Sequence, residues 1–258
     1  IRDSVIPDRR TPEAVGQAIE SKKVNVLPAS PTFFNLLLLS KIPEKHDLSS
    51  VQILAYGAES MPQKLLKRLA KTFPKARLQQ KFGTSETGAI RIKSTKDDSL
   101  YFSINDPETE WKIIDNELWL KTPSRIIGYL NPEQGKLDAD GWYATGDLVE
   151  DDKQGNLRIA GRTSAIINVG GQKVNPREIE SVLIELEGVE SVRVYSRENP
   201  ITGSDIACEI VSSQCKSLST WKRDMRRHCR KELSLWKIPS SLVVIDEIGI
   251  NSRMKRKN

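Results

Sequence analysis

Glycine beside hydroxyl residues, with a carboxylate following at once, is a composition suited to a metal-bound phosphate. The run Lys81-Phe82-Gly83-Thr84-Ser85-Glu86-Thr87-Gly88 has this make-up and closes a strand-like segment, Leu78 to Phe82. Gly83 lets the backbone approach an anion, and Thr84 and Ser85 offer donors to its oxygens. Glu86 is a ligand type for the magnesium ion that accompanies ATP, and Phe82 offers a face to a purine. A polar turn closing a strand would have the same composition. A second run, Tyr143-Ala144-Thr145-Gly146-Asp147, ends in a carboxylate that could accept both ribose hydroxyls. The competing reading for Asp147 is an Asx turn. Arg162, after Gly161, suits either a nucleoside contact or an ordinary surface ion pair.

These runs need elements to hold them. Pro12 to Lys22, Pro31 to Lys41 and Pro62 to Phe73 read as helices, the second with proline at its start. They alternate with strand-like Val24 to Leu27, Val51 to Ala55 and Leu78 to Phe82, which predicts a mostly parallel α/β sheet. From Ser99 to Ile159 short strands such as Trp111 to Ile114 and Glu117 to Lys121 alternate with Asn, Gly, Pro and Asp turns. That texture predicts antiparallel β structure or a small barrel. Beyond Arg162 the pattern is α+β: strands at Ile166 to Val169, Val192 to Tyr195, Ile206 to Val211 and Ser241 to Ile245, helices at Pro176 to Glu187 and Ser219 to Leu233. The expected domain boundary lies at Arg162 to Ser164, giving domains 1–162 and 163–258.

Composition narrows the function classes. The 258 residues are 38% hydrophobic and 29% charged, ordinary for a globular protein, and no apolar run reaches the length of a membrane span. Three cysteines at spacings matching no zinc or redox motif point to a reducing compartment, the cytoplasm. Only His46 and His228 are present, so histidine triads and His-rich metal sites lack material. The net charge of +6 gathers at Lys222 to Lys231 and Arg253 to Lys257. It comes without the aromatic platforms of a nucleic-acid binder, so nucleic acid is not expected as a partner.

In order along the chain, the motifs resemble those of the adenylate-forming superfamily: acyl- and aryl-CoA synthetases, peptide-synthetase adenylation domains and luciferases. Gly57-Ala58-Glu59 resembles its adenine-pocket loop, and Phe82 to Glu86 its Tyr-Gly-x-Thr-Glu signature. Asn116-Glu117-Leu118 through Gly128-Tyr129, Tyr143 to Asp147, Gly161 to Glu180 and Leu233 to Pro239 resemble the further motifs in turn. The resemblance implies a large α/β domain, of which the C-terminal part is present, followed by a small mobile α+β lid.

It also implies roles. Gly57, Ala58 and Glu59 would line the adenine, Phe82 would stack on it, and Gly83, Thr84 and Ser85 would meet the phosphates, Ser85 holding the α-phosphate. Glu86 would bind Mg2+, Asp147 and Arg162 would fix the ribose, and Gly170 and Gly171 would line the thiol's path. Lys255, aligned through Asp246-Glu247-Ile248, would bridge carboxylate and α-phosphate during adenylation, with Lys257 the competing position. The implied cofactors are ATP, Mg2+ and coenzyme A or phosphopantetheine. The implied partners are a small carboxylic acid and an acyl carrier protein. The chain departs from the family at Phe82, which stands for tyrosine, at Ser164, at the hinge, and at Met254 before Lys255. The family's Ser/Thr/Gly-rich phosphate loop has no counterpart in Ile1 to Ala55, so the chain is expected to begin midway through the large domain. Alternative readings are an amino-acid adenylation domain and a non-catalytic, partner-binding remnant.

Overall fold

Thr11 and Ser30 are residues that cap helices, and each does so here just ahead of a proline. In the computed structural model, which describes residues 3–96, 99–130, 137–200 and 203–246, Thr11 Oγ1 accepts from the Ala14 amide at 3.3 Å and opens α1 (Pro12–Lys22). Strand β1 (Val26–Ala29) follows. Ser30 Oγ accepts from the Phe33 amide at 3.2 Å and opens α2 (Pro31–Leu39). Then come α3 (Ile42–Lys45), β2 (Ile53–Tyr56), α4 (Gln63–Thr72) and β3 (Arg77–Gln80).

The three strands form a parallel sheet in the order β1-β2-β3, with Ala29, Tyr56 and Gln80 level at its C-terminal end. Pro28 is tolerated because β1 is an edge strand of that sheet. Phe34 and Leu37 of α2, Leu54 of β2 and Leu66 and Leu69 of α4 are wholly buried together. Phe33 and Phe34 are therefore core residues. Truncating Leu66 to alanine removes the seat of α4 and costs ~2–5 kcal/mol.

A second sheet follows the hairpin of β4 (Phe82–Thr84) and β5 (Gly88–Ile90). Its strands are β6 (Ile92–Ser94), β7 (Phe102–Ile104), β8 (Glu110–Ile114), β9 (Glu117–Lys121), β10 (Tyr143–Asp151) and β11 (Leu157–Arg162). They curl into a six-stranded sheet ordered β6-β7-β11-β10-β9-β8, around Phe102, Leu118, Leu120 and Leu157. Asp115 and Asn116 join β8 to β9 in a two-residue turn, both with positive φ (51° and 63°), as a tight hairpin requires. Leu78 to Phe82 is not one strand: β3 stops at Gln80, and Phe82 begins a separate hairpin.

The remaining elements are β12 (Ile167–Val169), β13 (Gln172–Val174), α5 (Pro176–Leu183), β14 (Val189–Asn199), β15 (Gly203–Ser212), α6 (Leu218–Glu232) and β16 (Ser241–Val244). β14, β15 and β16 form a sheet against which α5 and α6 bury Ile179, Leu183, Trp221, Met225 and Cys229. α5 ends at Leu183 rather than Glu187, because residues 184–187 pass into hydrogen-bonded turns and Gly188 reverses the chain at φ 85°. The described chain divides into two compact units, one of residues 3–145 and 149–159, the other of 146–148 and 160–246.

Candidate functional site

In the first unit the sheet's C-terminal end gathers the first group of motif residues. Gly57, Ala58 and Glu59 leave β2 there, and the Lys81 amide donates to the Tyr56 carbonyl at 2.7 Å, bringing the start of the β4–β5 hairpin beside them. Ala58 takes a left-handed φ of 66°, a strained setting for a residue with a side chain. Glu59 is tied back to the helix above, where its carboxylate accepts from the Thr32 amide at 3.1 Å. Ligands of open α/β sheets bind at this end of the strands.

The hairpin is unusually tight. A side chain at Gly83 would collide with the Gly88 carbonyl oxygen and come within 2.9 Å of the Ala89 Cα, so only glycine allows the strands to approach so closely. At its tip, Thr84 Oγ1 accepts from the amides of Glu86 (3.2 Å) and Thr87 (3.1 Å) and meets the Thr87 hydroxyl at 3.0 Å. Thr84 thus shapes the loop from within, whereas Ser85 is exposed at the apex. A following segment clamps the hairpin: Ser124 Oγ donates to the Thr87 carbonyl at 2.7 Å and the Ile126 amide to the Glu86 carbonyl at 2.7 Å.

Glu86 itself is half-buried. Tyr129 donates its phenol to Glu86 Oε1 at 3.1 Å, and Tyr143 lies within hydrogen-bonding reach of both. Burial pushes the Glu86 carboxyl up, but its own amide, the Thr84 hydroxyl and the two phenols outweigh burial and hold it below its ordinary value. Burial in turn raises both phenols, Tyr143 strongly, with the neighbouring carboxylate adding to the effect. Glu86 is therefore a fixed anion held by neutral donors. Tyr129 and Tyr143 stand in motif segments, yet their sequence gives no sign that they converge on Glu86 from 43 and 57 residues away. Gln80, at the end of β3, is likewise visible only in the structure: its buried Oε1 has no hydrogen-bond partner among the described residues.

Phe82 is placed differently from the expectation of a ring free to stack. Its ring lies 5.6 Å from that of Phe102, tilted by 31°, and packs on the second sheet's core. That surface of Phe82 is taken, and a purine would meet what remains.

The second unit holds the other motif residues. Asp147 and Arg162 are brought together, but as partners of each other: Arg162 Nε donates to Asp147 Oδ1 at 2.8 Å and Nη2 to Oδ2 at 3.4 Å. Arg162 is about half exposed (52%) and Asp147 nearly buried (9%), so the arginine could leave the pair without unpacking a core. Gly170 and Gly171 form the exposed two-residue turn between β12 and β13, with φ of 56° and 86°, conformations that glycine adopts without strain. Lys255 and Lys257 lie outside the described residues, as does most of the Asp246-Glu247-Ile248 anchor. Among the described residues no cluster of three His, Cys, Asp or Glu side chains could hold a metal alone.

The AMP-binding enzyme family matches residues 3–130, and the AMP-binding enzyme C-terminal domain matches residues 178–255. The chain belongs to the adenylate-forming superfamily. It is 27% identical to a 3-[(3aS,4S,7aS)-7a-methyl-1,5-dioxo-octahydro-1H-inden-4-yl]propanoyl:CoA ligase of Rhodococcus jostii, over 90% of this chain and 46% of that protein. It is 29% identical to acyl-CoA synthetase 7 of Caenorhabditis elegans, over 89% of this chain and 45% of the relative. Among solved structures it resembles the anthranilate CoA ligase AuaEII in complex with anthranoyl-AMP, with a TM-score of 0.80 at 22% identity, covering 96% of this chain and 51% of that one. The chain thus spans about half the length of the relatives it matches, and the likeness in structure bears on the fold, which is that of an adenylate-forming enzyme.

Proposed function

We propose that this adenylate-forming chain serves an AMP-forming acid–thiol ligase. In the first half-reaction a carboxylate oxygen attacks the α-phosphorus of ATP, the bond to the bridging oxygen breaks, and pyrophosphate leaves. In the second, a thiolate attacks the acyl carbon and AMP departs, leaving a thioester. The observation that carries this reading is the hairpin tip, where the exposed Ser85 adjoins the anchored anion of Glu86 at the ligand-binding end of a parallel sheet.

Each group has a part to play. Gln80 Oε1 is a buried acceptor with no donor among the described residues, and the exocyclic amine of adenine would supply one; leaving such an acceptor unmet costs ~1–3 kcal/mol. Gly57, Ala58 and Glu59 border that position. Ser85 donates to the α-phosphate, while Thr84 keeps the loop in shape. One carboxylate fits Mg2+, which takes few protein ligands and completes its shell with phosphate oxygens and water. Glu86 would hold it, and the ion would supply neutralisation of phosphate charge. Asp147, released by Arg162, accepts from the ribose hydroxyls. Residues 163–258 act as the mobile lid of domain 1–162, moving about Arg162 to Ser164, with the Gly170-Gly171 turn meeting the incoming thiol arm. Lys255 provides the point charge between carboxylate and phosphate. The acceptor is coenzyme A or the phosphopantetheine of a carrier protein, and the setting is cytoplasmic.

Calorimetric titration with AMP tests the nucleotide part. Saturable binding that Gln80→Leu weakens is the expected result, and no binding by a folded sample overturns it in favour of a partner-binding remnant. Pyrophosphate exchange with fatty, aryl and amino acids then assigns the acid; exchange with amino acids alone would identify an amino-acid adenylation domain.

A further inference from the structure

α6 presents two unlike faces. Trp221, Met225 and Cys229, spaced by four, are buried in the core of the second unit. On the other side Arg223, Arg226, Arg227, Arg230 and Lys231 are exposed and Lys222 is half-buried. At ~100° per residue these six cations fall within roughly half the helix circumference, as two columns, Lys222-Arg226-Arg230 and Arg223-Arg227-Lys231, each running ~12 Å. Five of them, Lys222, Arg223, Arg226, Arg227 and Arg230, line one shallow surface depression together with Ser219. Like charges at this spacing repel and disfavour the helix, so the arrangement is not one that folding selects.

Counter-charge is scarce. Asp224, at the border of the buried face, takes Arg227 at 3.1 Å, Lys216 at 3.6 Å and Arg223 at 3.7 Å. Among the described residues no ion pair reaches Lys222, Arg226, Arg230 or Lys231. Exposed apolar side chains occur in sequence before and after the columns: Leu218 at the helix start, and Leu235 and Trp236 in the turn that follows it.

We propose that this face docks the second unit on an anionic lipid bilayer surface. A protein interface sets its arginines around an aromatic and apolar centre, and the two columns contain no such side chain. A single-stranded nucleic acid would use aromatic platforms, and the columns contain none. A bilayer rich in acidic headgroups presents a diffuse negative potential that rewards each nearby cation without directional pairing. The exposed Leu and Trp side chains that flank the helix in sequence are of types that suit the headgroup region. α6 stays at the surface, because its apolar side is already committed to the core.

Sedimentation of the protein with phosphatidylcholine vesicles, with and without phosphatidylglycerol, tests this directly. Binding should require the acidic lipid and disappear at ~0.5 M salt, where the Debye length shrinks to a few ångströms. Arg226→Glu with Arg230→Glu should lower the partition coefficient at least thirtyfold or so, since each cation near the surface is worth about fivefold. Arg226→Gln with Arg230→Gln should fall between that variant and the parent. Lys71→Glu with Lys75→Glu changes net charge equally, at exposed positions of the first unit, and should bind as the parent does. All three double variants alter solvent-facing side chains, and unchanged circular dichroism checks their fold. The proposal is overturned if acidic vesicles fail to bind, if the Arg226/Arg230 and Lys71/Lys75 reversals weaken binding equally, or if duplex DNA or an acidic protein outcompetes the vesicles at equal charge.

Discussion

Glu86 and Asp147 are both motif carboxylates beside short strands, yet the two units hold them by opposite means. Glu86 is gripped by neutral donors: two phenols, a hydroxyl and an amide. Its full negative charge therefore remains available to a cation arriving with the nucleotide. Asp147 faces a guanidinium that engages both of its oxygens, so its charge is already cancelled. Neutral donors leave the charge of a carboxylate uncancelled, whereas a guanidinium neutralises it for as long as the pair is closed; the proposed roles of Glu86 at Mg2+ and of Asp147 at the ribose rest on that difference.

The sharpest way to break this contrast is to remove the charge of Glu86 and keep its shape. Glu86→Gln should lower acid-dependent pyrophosphate exchange by ~10²–10³, the scale of losing one well-placed electrostatic contact in a closed site, with the fold unchanged. A loss of less than threefold would mean that Glu86 is a structural carboxylate only. The asymmetry at Asp147 comes next. Arg162→Ala takes away the charged donor of a nearly buried carboxylate and should cost ~1–3 kcal/mol in urea unfolding. Asp147→Asn leaves a half-exposed arginine to water and should cost less than ~1 kcal/mol. Equal losses would show that the pair is not one-sided.

Tyr129→Phe sharpens the Glu86 side. It deletes one hydrogen bond to a carboxylate, worth about 1–2 kcal/mol at a half-exposed position, and should move the Glu86 carboxyl upward towards its ordinary value. The sign is fixed by linkage: a carboxyl held low contributes stability above its unfolded value, and that stability is lost as pH falls through the folded one. Tyr129→Phe should therefore flatten the acid limb of a stability–pH curve, and NMR titration of the Glu86 carboxyl carbon reads the shift itself.

Much of this was legible in the sequence, and the parts that were not share a cause. Prolines after Thr11 and Ser30 announce α1 and α2, and the alternation of helix and strand announces the parallel sheet, because local signals suffice for them. The adenylate-forming fold follows from the ordered motifs. The split between β3 and the β4–β5 hairpin is hidden, since Gln79-Gln80-Lys81-Phe82 contains no turn residue, while Gly83 allows a separate close pair. Tyr129, Tyr143 and the orphaned Gln80 oxygen owe their roles to distant partners, which no spacing encodes. Phe82 shows the same limit: an aromatic side chain reads alike whether its face awaits a ligand or rests on Phe102.

A third arrangement of charge in the first unit completes the contrast and gives the smallest effect. Here the roles invert, and two carboxylates hold one titrating cation. His46 meets Glu20 through Nδ1 and Glu13 through Nε2, each at 2.9 Å, linking α1 to the end of α3. Both ring nitrogens then act as donors, which requires the imidazolium. The hydrogen bonds to Glu20 and Glu13 raise the His46 value above 6.5. Lys45 also faces Glu13 at 3.6 Å, and the Asp47 amide donates to Glu20 while Lys23 pairs with Asp47 at 2.9 Å. A group raised on folding stabilises fully below its unfolded value and ceases to do so as pH rises through the folded one. The clasp should therefore be intact below about pH 6.5 and weaken above it, while the Glu86 grip loosens only in acid. Urea midpoints followed from pH 6 to pH 9 should fall slightly in the parent and stay level in His46→Gln, which pairs neutrally at every pH. A parent curve that is flat across that range would place His46 among neutral packing residues and leave Glu86 as the charge-dependent grip under test in the first unit.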